Sequence, residues 1–113
     1  MRWIVTQYRT VWNDLYTECD EDTRDTLDRK LDLLQEKGNL SNRPISALLE
    51  DGIFELRAKE ARMLFYFGEE RDVVFVHCII KKTRKVPRED IELAKRRRTE
   101  IRAGKVKKNA RPN

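Results

Sequence analysis

A chain of 113 residues is one domain's worth, enough for a single modest core and too little for two. Charged residues make up 40% of it, against a usual share of about 25%, yet 39% apolar and 8% aromatic content exclude disorder throughout. The net charge of +5 is unevenly placed: residues 1–56 sum to −5 and residues 57–113 to +10, which suits the second half to a polyanion or an acidic protein. Cys19 and Cys78 make neither a disulfide framework nor a C-x-x-C ligand spacing, and a reducing cytoplasm is the expected compartment. The start "MRWIVTQYRTVW" lacks the apolar core of a signal peptide, and no window approaches the ~18 apolar residues of a membrane span.

In chain order, "RWIVTQY" alternates β-branched and aromatic residues and predicts a first strand. Val11, Trp12, Leu15 and Tyr16 then share one face of a short helix. After "CDEDT", where Asp20 or Asp22 can cap orphan N–H groups, Leu27, Leu31 and Leu34 mark a second helix that Gly38 ends. Residues 38–52 carry Gly, Asn, Ser and Pro and read as a connecting loop with at most one helical turn. Three apolar runs follow at 53–57, 62–67 and 73–80, separated by "AKEA" and "GEERD". Pro87 can open a last helix, with Glu89 and Asp90 at the positive end of its dipole and Lys95–Arg98 towards the negative end. Its apolar stripe, Ile91, Ala94 and Ile101, is narrow, so most of it should face solvent or a partner. The predicted class is α+β, in the order β-α-α-β-β-β-α. One domain covers residues 1–103, and a basic tail without periodicity, 104–113, is expected to be disordered.

The hairpin "FELRAKEARMLFYF" raises a physical question. With "AKEA" as the turn, Arg57 and Arg62 stand directly opposite one another and point to one face, together with Glu55, Leu64, Ile53 and Tyr66. The other face, Phe54, Leu56, Met63, Phe65 and Phe67, is wholly apolar and must be the core side. Two guanidiniums about 5 Å apart repel by roughly 1 kcal/mol in water. Either Glu55 or another acid neutralises them, or they are placed for an anion such as phosphate, which suits arginine's planar fork. The third run, "VVFVHCII", leads straight into "KKTRK", so Lys81 or Lys82 should approach the pair. His77 and Cys78, pointing to opposite faces, are a poor metal pair. Tyr8, Trp12 and Tyr16 are better read as core than as a stacking platform. No P-loop, G-x-G-x-x-G, G-x-S-x-G or H-E-x-x-H occurs.

Residues 48–97, with G-I-F-E-L-R, an arginine leading an aromatic strand, H-x-x-x-K-K-T at a strand end and a proline-started helix, resemble the RelE superfamily of toxins, specifically its phage-derived HigB-like branch. The resemblance implies a small toxin of a type II toxin–antitoxin pair, with two N-terminal helices packed on a small twisted, mainly antiparallel sheet. It further implies a metal-independent endoribonuclease that uses no cofactor, enters the ribosomal A site and cleaves the mRNA there, inhibiting translation. A cognate helix-turn-helix antitoxin would neutralise it. Carried onto this chain, Arg57 and Arg62 would stabilise the phosphate and the transition state, and Lys81 or Lys82 would be general base or acid. Thr83, Arg84, Lys85 and Lys95, Arg96, Arg97 and Arg98 would hold RNA backbone, with His77 orienting a group nearby. Tyr66 is a stacking candidate. The alternative from another class is a non-catalytic, phage-derived RNA- or DNA-binding module whose basic face does only electrostatic work.

Overall fold

A computed structural model describes residues 2–41 and 45–110. In chain order the elements are β1 (Ile4–Tyr8), α1 (Val11–Glu18), α2 (Glu21–Lys37), a 3-10 turn (Gly38–Leu40), β2 (Ala47–Glu50), β3 (Ile53–Ala58), β4 (Ala61–Gly68), β5 (Asp72–Ile80), α3 (Arg88–Arg102) and β6 (Lys108–Ala110). The strands form one sheet in the order β2-β3-β4-β5-β1-β6, antiparallel except for the β1–β5 pair.

The helices form where their periodicity and caps direct. The Asp20 side chain accepts from the Thr23 N–H at 2.8 Å, closing the start of α2, and Leu27, Leu31 and Leu34 are buried. Gly38 ends α2 with a φ of 54°, and Trp3 packs so closely above it that a Cβ there would lie 2.0 Å from the ring. α1 and α2 cover one face of the sheet, where Trp12, Leu15, Leu56, Met63, Phe65 and Phe75 make the larger core. Tyr8 and Trp12 are buried and Tyr16 is packed at the margin, so the three aromatics are core, as their spacing suggests.

Two elements were not expected. β2 lies in the stretch read as a loop; its four residues take strand form by pairing with β3, Leu48 opposite Phe54. β6 lies in the stretch read as a disordered tail: Lys108–Ala110 pairs with Tyr8–Thr6, and Lys108 forms an ion pair with Asp72. Residues 111–113 of that tail, and 42–44 of the loop, lie outside the described residues.

The second face of the sheet also differs from the expectation of a single core side. Ile53, Leu64, Tyr66, Val74 and Val76 form a smaller core there under Ala94 of α3, with Tyr8. A β-bulge in β5 shapes this face. Leu64 pairs with His77 and Phe65 with Phe75, so Val76 is the extra residue and His77 is turned to the α3 side.

Candidate nucleic-acid interface and active site

The β3–β4 register is the one the alternation dictates: Arg57 opposes Arg62, Glu55 opposes Leu64, and Arg62 in turn opposes Ile79 of β5. The arginines therefore share the α3 face, beyond the point where α3 covers it. Lys81 follows Ile79 by one alternation and belongs to this side. Its N–H bonds the Glu60 carbonyl at 2.9 Å, which ties the end of β5 to the hairpin turn.

The two arginines differ in their surroundings. Arg62 is buried; its Nη1 donates to the carbonyls of Lys59 and Ala61, and its Nη2 donates to the Thr83 carbonyl at 3.2 Å. Burial, and after it the Arg57 charge, presses its pKa below the ordinary arginine value. Arg57 keeps a third of its side chain exposed, and its Nη2 donates both to Glu55 Oε1 at 3.0 Å and to the Arg84 carbonyl at 2.6 Å. Glu55 thus neutralises the pair in part, and both guanidiniums grip the carbonyls of the basic segment 81–85.

Beside them opens a cleft of about 780 Å³. Its walls are Leu48, Leu49 and Glu50 of β2, Glu55 and Arg57 of β3, Arg84, Lys85 and Val86 of the connecting segment, and Arg88 and Ile91 of α3. Glu55 is almost wholly buried, and its Oε2 has no hydrogen-bond partner; neither has the buried Nε of Arg57 or of Arg62. A buried carboxylate oxygen without a donor is costly, because its hydration has been lost and not replaced.

The remaining expected site residues separate by burial. Lys82, Thr83, Arg84 and Lys85 are exposed, with the Thr83 hydroxyl donating to the Lys85 carbonyl across the loop. Of the run 95–98 only Arg96 is exposed. Lys95 pairs with Glu50, and Arg98 is buried with its guanidinium on the Asp51 carbonyl and carboxylate. Arg97 donates to the Val76 carbonyl at 2.9 Å and stacks 4.7 Å above the Tyr8 ring. Three of the four cations in this run therefore fasten α3 to the sheet and to the β2–β3 turn instead of standing open to RNA.

His77 is similarly occupied. Its Nε2 lies 2.7 Å from Asp90 Oδ1 and its Nδ1 lies 3.5 Å from Arg97, with the ring mostly buried. Burial lowers its pKa, with Asp90 opposing. The ring joins β5 to α3 rather than facing the cleft. Tyr66 is buried beneath Arg102, 5.2 Å from its ring, and is no open stacking surface. The sequence reading missed Arg88, Glu50 and the cleft role of Glu55. Only Glu55 carried a signal, an acid inside an otherwise buried strand two residues from Arg57. Among the described residues, no group of three His, Cys, Asp or Glu side chains is placed to hold a metal ion.

A search among curated proteins returned no match. A family profile described as phage-derived protein Gp49-like (DUF891) matches residues 16–99, most of the chain. The chain belongs to the phage-derived Gp49-like family. Among solved structures it is similar to a chain of the YoeB–YefM complex from Staphylococcus aureus, with a TM-score of 0.54 and 14% identity, covering 72% of this chain and 99% of that one. That likeness establishes the fold. The part matched by the Gp49-like profile runs from the end of α1 through most of α3 and contains every residue of the cleft.

Proposed function

We propose that this Gp49-like protein is the toxin of a type II toxin–antitoxin pair, of the HigB-like branch of the RelE superfamily, and a ribosome-dependent endoribonuclease that cuts mRNA in the A site and so inhibits translation. The observation that carries the reading is the cleft at the sheet edge, where Arg57 reaches from a buried carboxylate to an open wall shared with Arg84, Lys85 and Arg88. Family membership and the fold shared with a chain of the YoeB–YefM complex support it.

RNA cleavage by attack of a 2′-hydroxyl on the adjacent phosphate concentrates negative charge on phosphoryl oxygens, and fixed cations lower that barrier by binding the transition state more tightly than the ground state. In this reading Arg57 does so. Arg62 holds the segment 81–85 in position from behind, and Lys81, Lys82, Arg84, Lys85, Arg88 and Arg96 supply backbone contacts to mRNA or ribosomal RNA. The complex named for the structural neighbour suggests a protein antitoxin as the second partner, here a helix-turn-helix protein with acidic side chains for the cleft. No helix of the described residues is long and apolar enough to cross a membrane, and the proposed site of action is the cytoplasm.

Induced expression in a bacterial host tests this reading. Growth should arrest, translated mRNA should be cut, and Arg57→Ala should relieve both by about 10²–10³ in rate while the protein stays folded. RNA binding without cleavage by the parent protein would instead establish the non-catalytic binding module.

A further inference from the structure

Glu55 is the group in this cleft with chemistry to spare. Its side chain is 3% exposed, one carboxylate oxygen is held by Arg57 at 3.0 Å, and the other is buried with no partner. Arg57 Nε, on the neighbouring residue of the same face, is equally without a partner. Neither Lys81 nor Lys82 lines the cleft, whereas Glu55 and Arg57 both do. The β-strand sets this placement: residues two apart project to one face, and β2 pairs with β3 only over Ile53–Glu55, starting at Ala47 opposite Glu55, so Arg57, two residues on, lies where β3 has no β2 partner.

Resting on the ribonuclease reading above, we propose that Glu55 is the catalytic base, taking the proton of the attacking 2′-hydroxyl at Oε2, with Arg57 as the phosphate clamp that covers it at rest. Arg57 has one exposed edge and one bond to a loop carbonyl, so a phosphate can draw its guanidinium outward without breaking the strand. In the reaction the 2′-oxygen forms a bond to phosphorus and loses its proton to the carboxylate. The bond from phosphorus to the 5′-oxygen breaks, and that oxygen takes a proton from solvent, to which the cleft is open. The products are a 2′,3′-cyclic phosphate and a 5′-hydroxyl, and no oxidant or cofactor is required. Glu55 then returns its proton to water. The pairing also explains why a strand buried on both faces retains an acid: Arg57 holds the base oriented until RNA displaces its cover.

The test is a single-turnover cleavage assay with ribosomes programmed by a defined mRNA, run as a function of pH on the full chain, Glu55→Gln and Glu55→Asp. Glu55→Gln should lose 10²–10⁴-fold in rate at saturating protein with binding to the programmed ribosome unchanged or tighter, and should lose the acid limb of the parent's pH–rate profile. Glu55→Asp, which keeps a carboxylate, should retain that limb at a reduced rate. Cleavage by a folded Glu55→Gln at the parent's rate and pH profile would overturn the assignment of the base while leaving the ribonuclease reading intact. An Asp variant, folded by circular dichroism, that lacks the limb would also overturn it. Absence of cleavage by the parent protein would overturn both.

Discussion

Replacing Arg62 by Met removes a guanidinium while keeping most of the buried stem. In the folded protein that guanidinium donates to the carbonyls of Lys59 and Thr83, outside its own position, and so fastens the β3–β4 turn to the segment after β5. A hydrogen bond from a charged donor contributes about 1.5–3 kcal/mol. Two such bonds set an upper range near 3–6 kcal/mol, from which the released carbonyls of the exposed Lys59 and Thr83, free to rehydrate, and the relieved repulsion by Arg57 both subtract. The expected net loss is about 1–3 kcal/mol, or a fall of about 5–15 °C in melting temperature for a domain of this size. Trypsin should then cut sooner at Lys82, Arg84 and Lys85, because the segment has lost its anchor. A variant melting within about 2 °C of the parent, with unchanged trypsin protection, would refute the reasoning and leave Arg62 free to bind phosphate directly.

Acid should loosen α3 before it unfolds the rest. Arg88 and Lys95 hold the Glu50 carboxyl down to about 2, so the stability it contributes is present above its ordinary value near 4.5 and is lost as pH falls towards 2. Glu50→Gln should flatten this part of the stability–pH curve, read by chemical denaturation. Gly38→Ala places a Cβ 2.0 Å from the Trp3 ring at a φ of 54° and should cost about 2–4 kcal/mol, with a red shift of tryptophan emission as Trp3 leaves Phe67. Replacing both Arg84 and Lys85 by Gln should lower the slope of log binding constant against log salt by about 0.7 for each lost contact to single-stranded RNA, measured by fluorescence anisotropy.

What the chain reveals before folding follows the range of the interactions. The caps of α2, the leucine face 27-31-34 and the Arg57–Arg62 register are local, set by periods of 3.6 and 2, and were legible. β2 and β6 were not, because "ALLE" and "KNA" take strand form only against the edges of β3 and β1. The run Lys95–Arg98 reads as a phosphate-binding stripe until the β2–β3 turn brings Glu50 and Asp51 against it, about 45 residues earlier in the chain. Both faces of β4 prove buried, which the apolar count of one face alone does not show, since α3 adds its cover through Ile91 and Ala94 with charged stems around them. The arginine pair was legible as a pair; that both arginines grip the neighbouring segment, and that Arg57 also holds one oxygen of a buried carboxylate whose other oxygen has no partner, depends on tertiary contacts.

Mapping the ends of a defined mRNA on translating ribosomes, with and without the protein, addresses the central claim most directly. New 5′-hydroxyl ends within the A-site codon, present only while ribosomes translate and abolished in the folded double variant Glu55→Gln/Arg57→Ala, are the expected result. The account is contradicted if a folded parent protein produces no new ends, or if the double variant produces the same ends at the same rate.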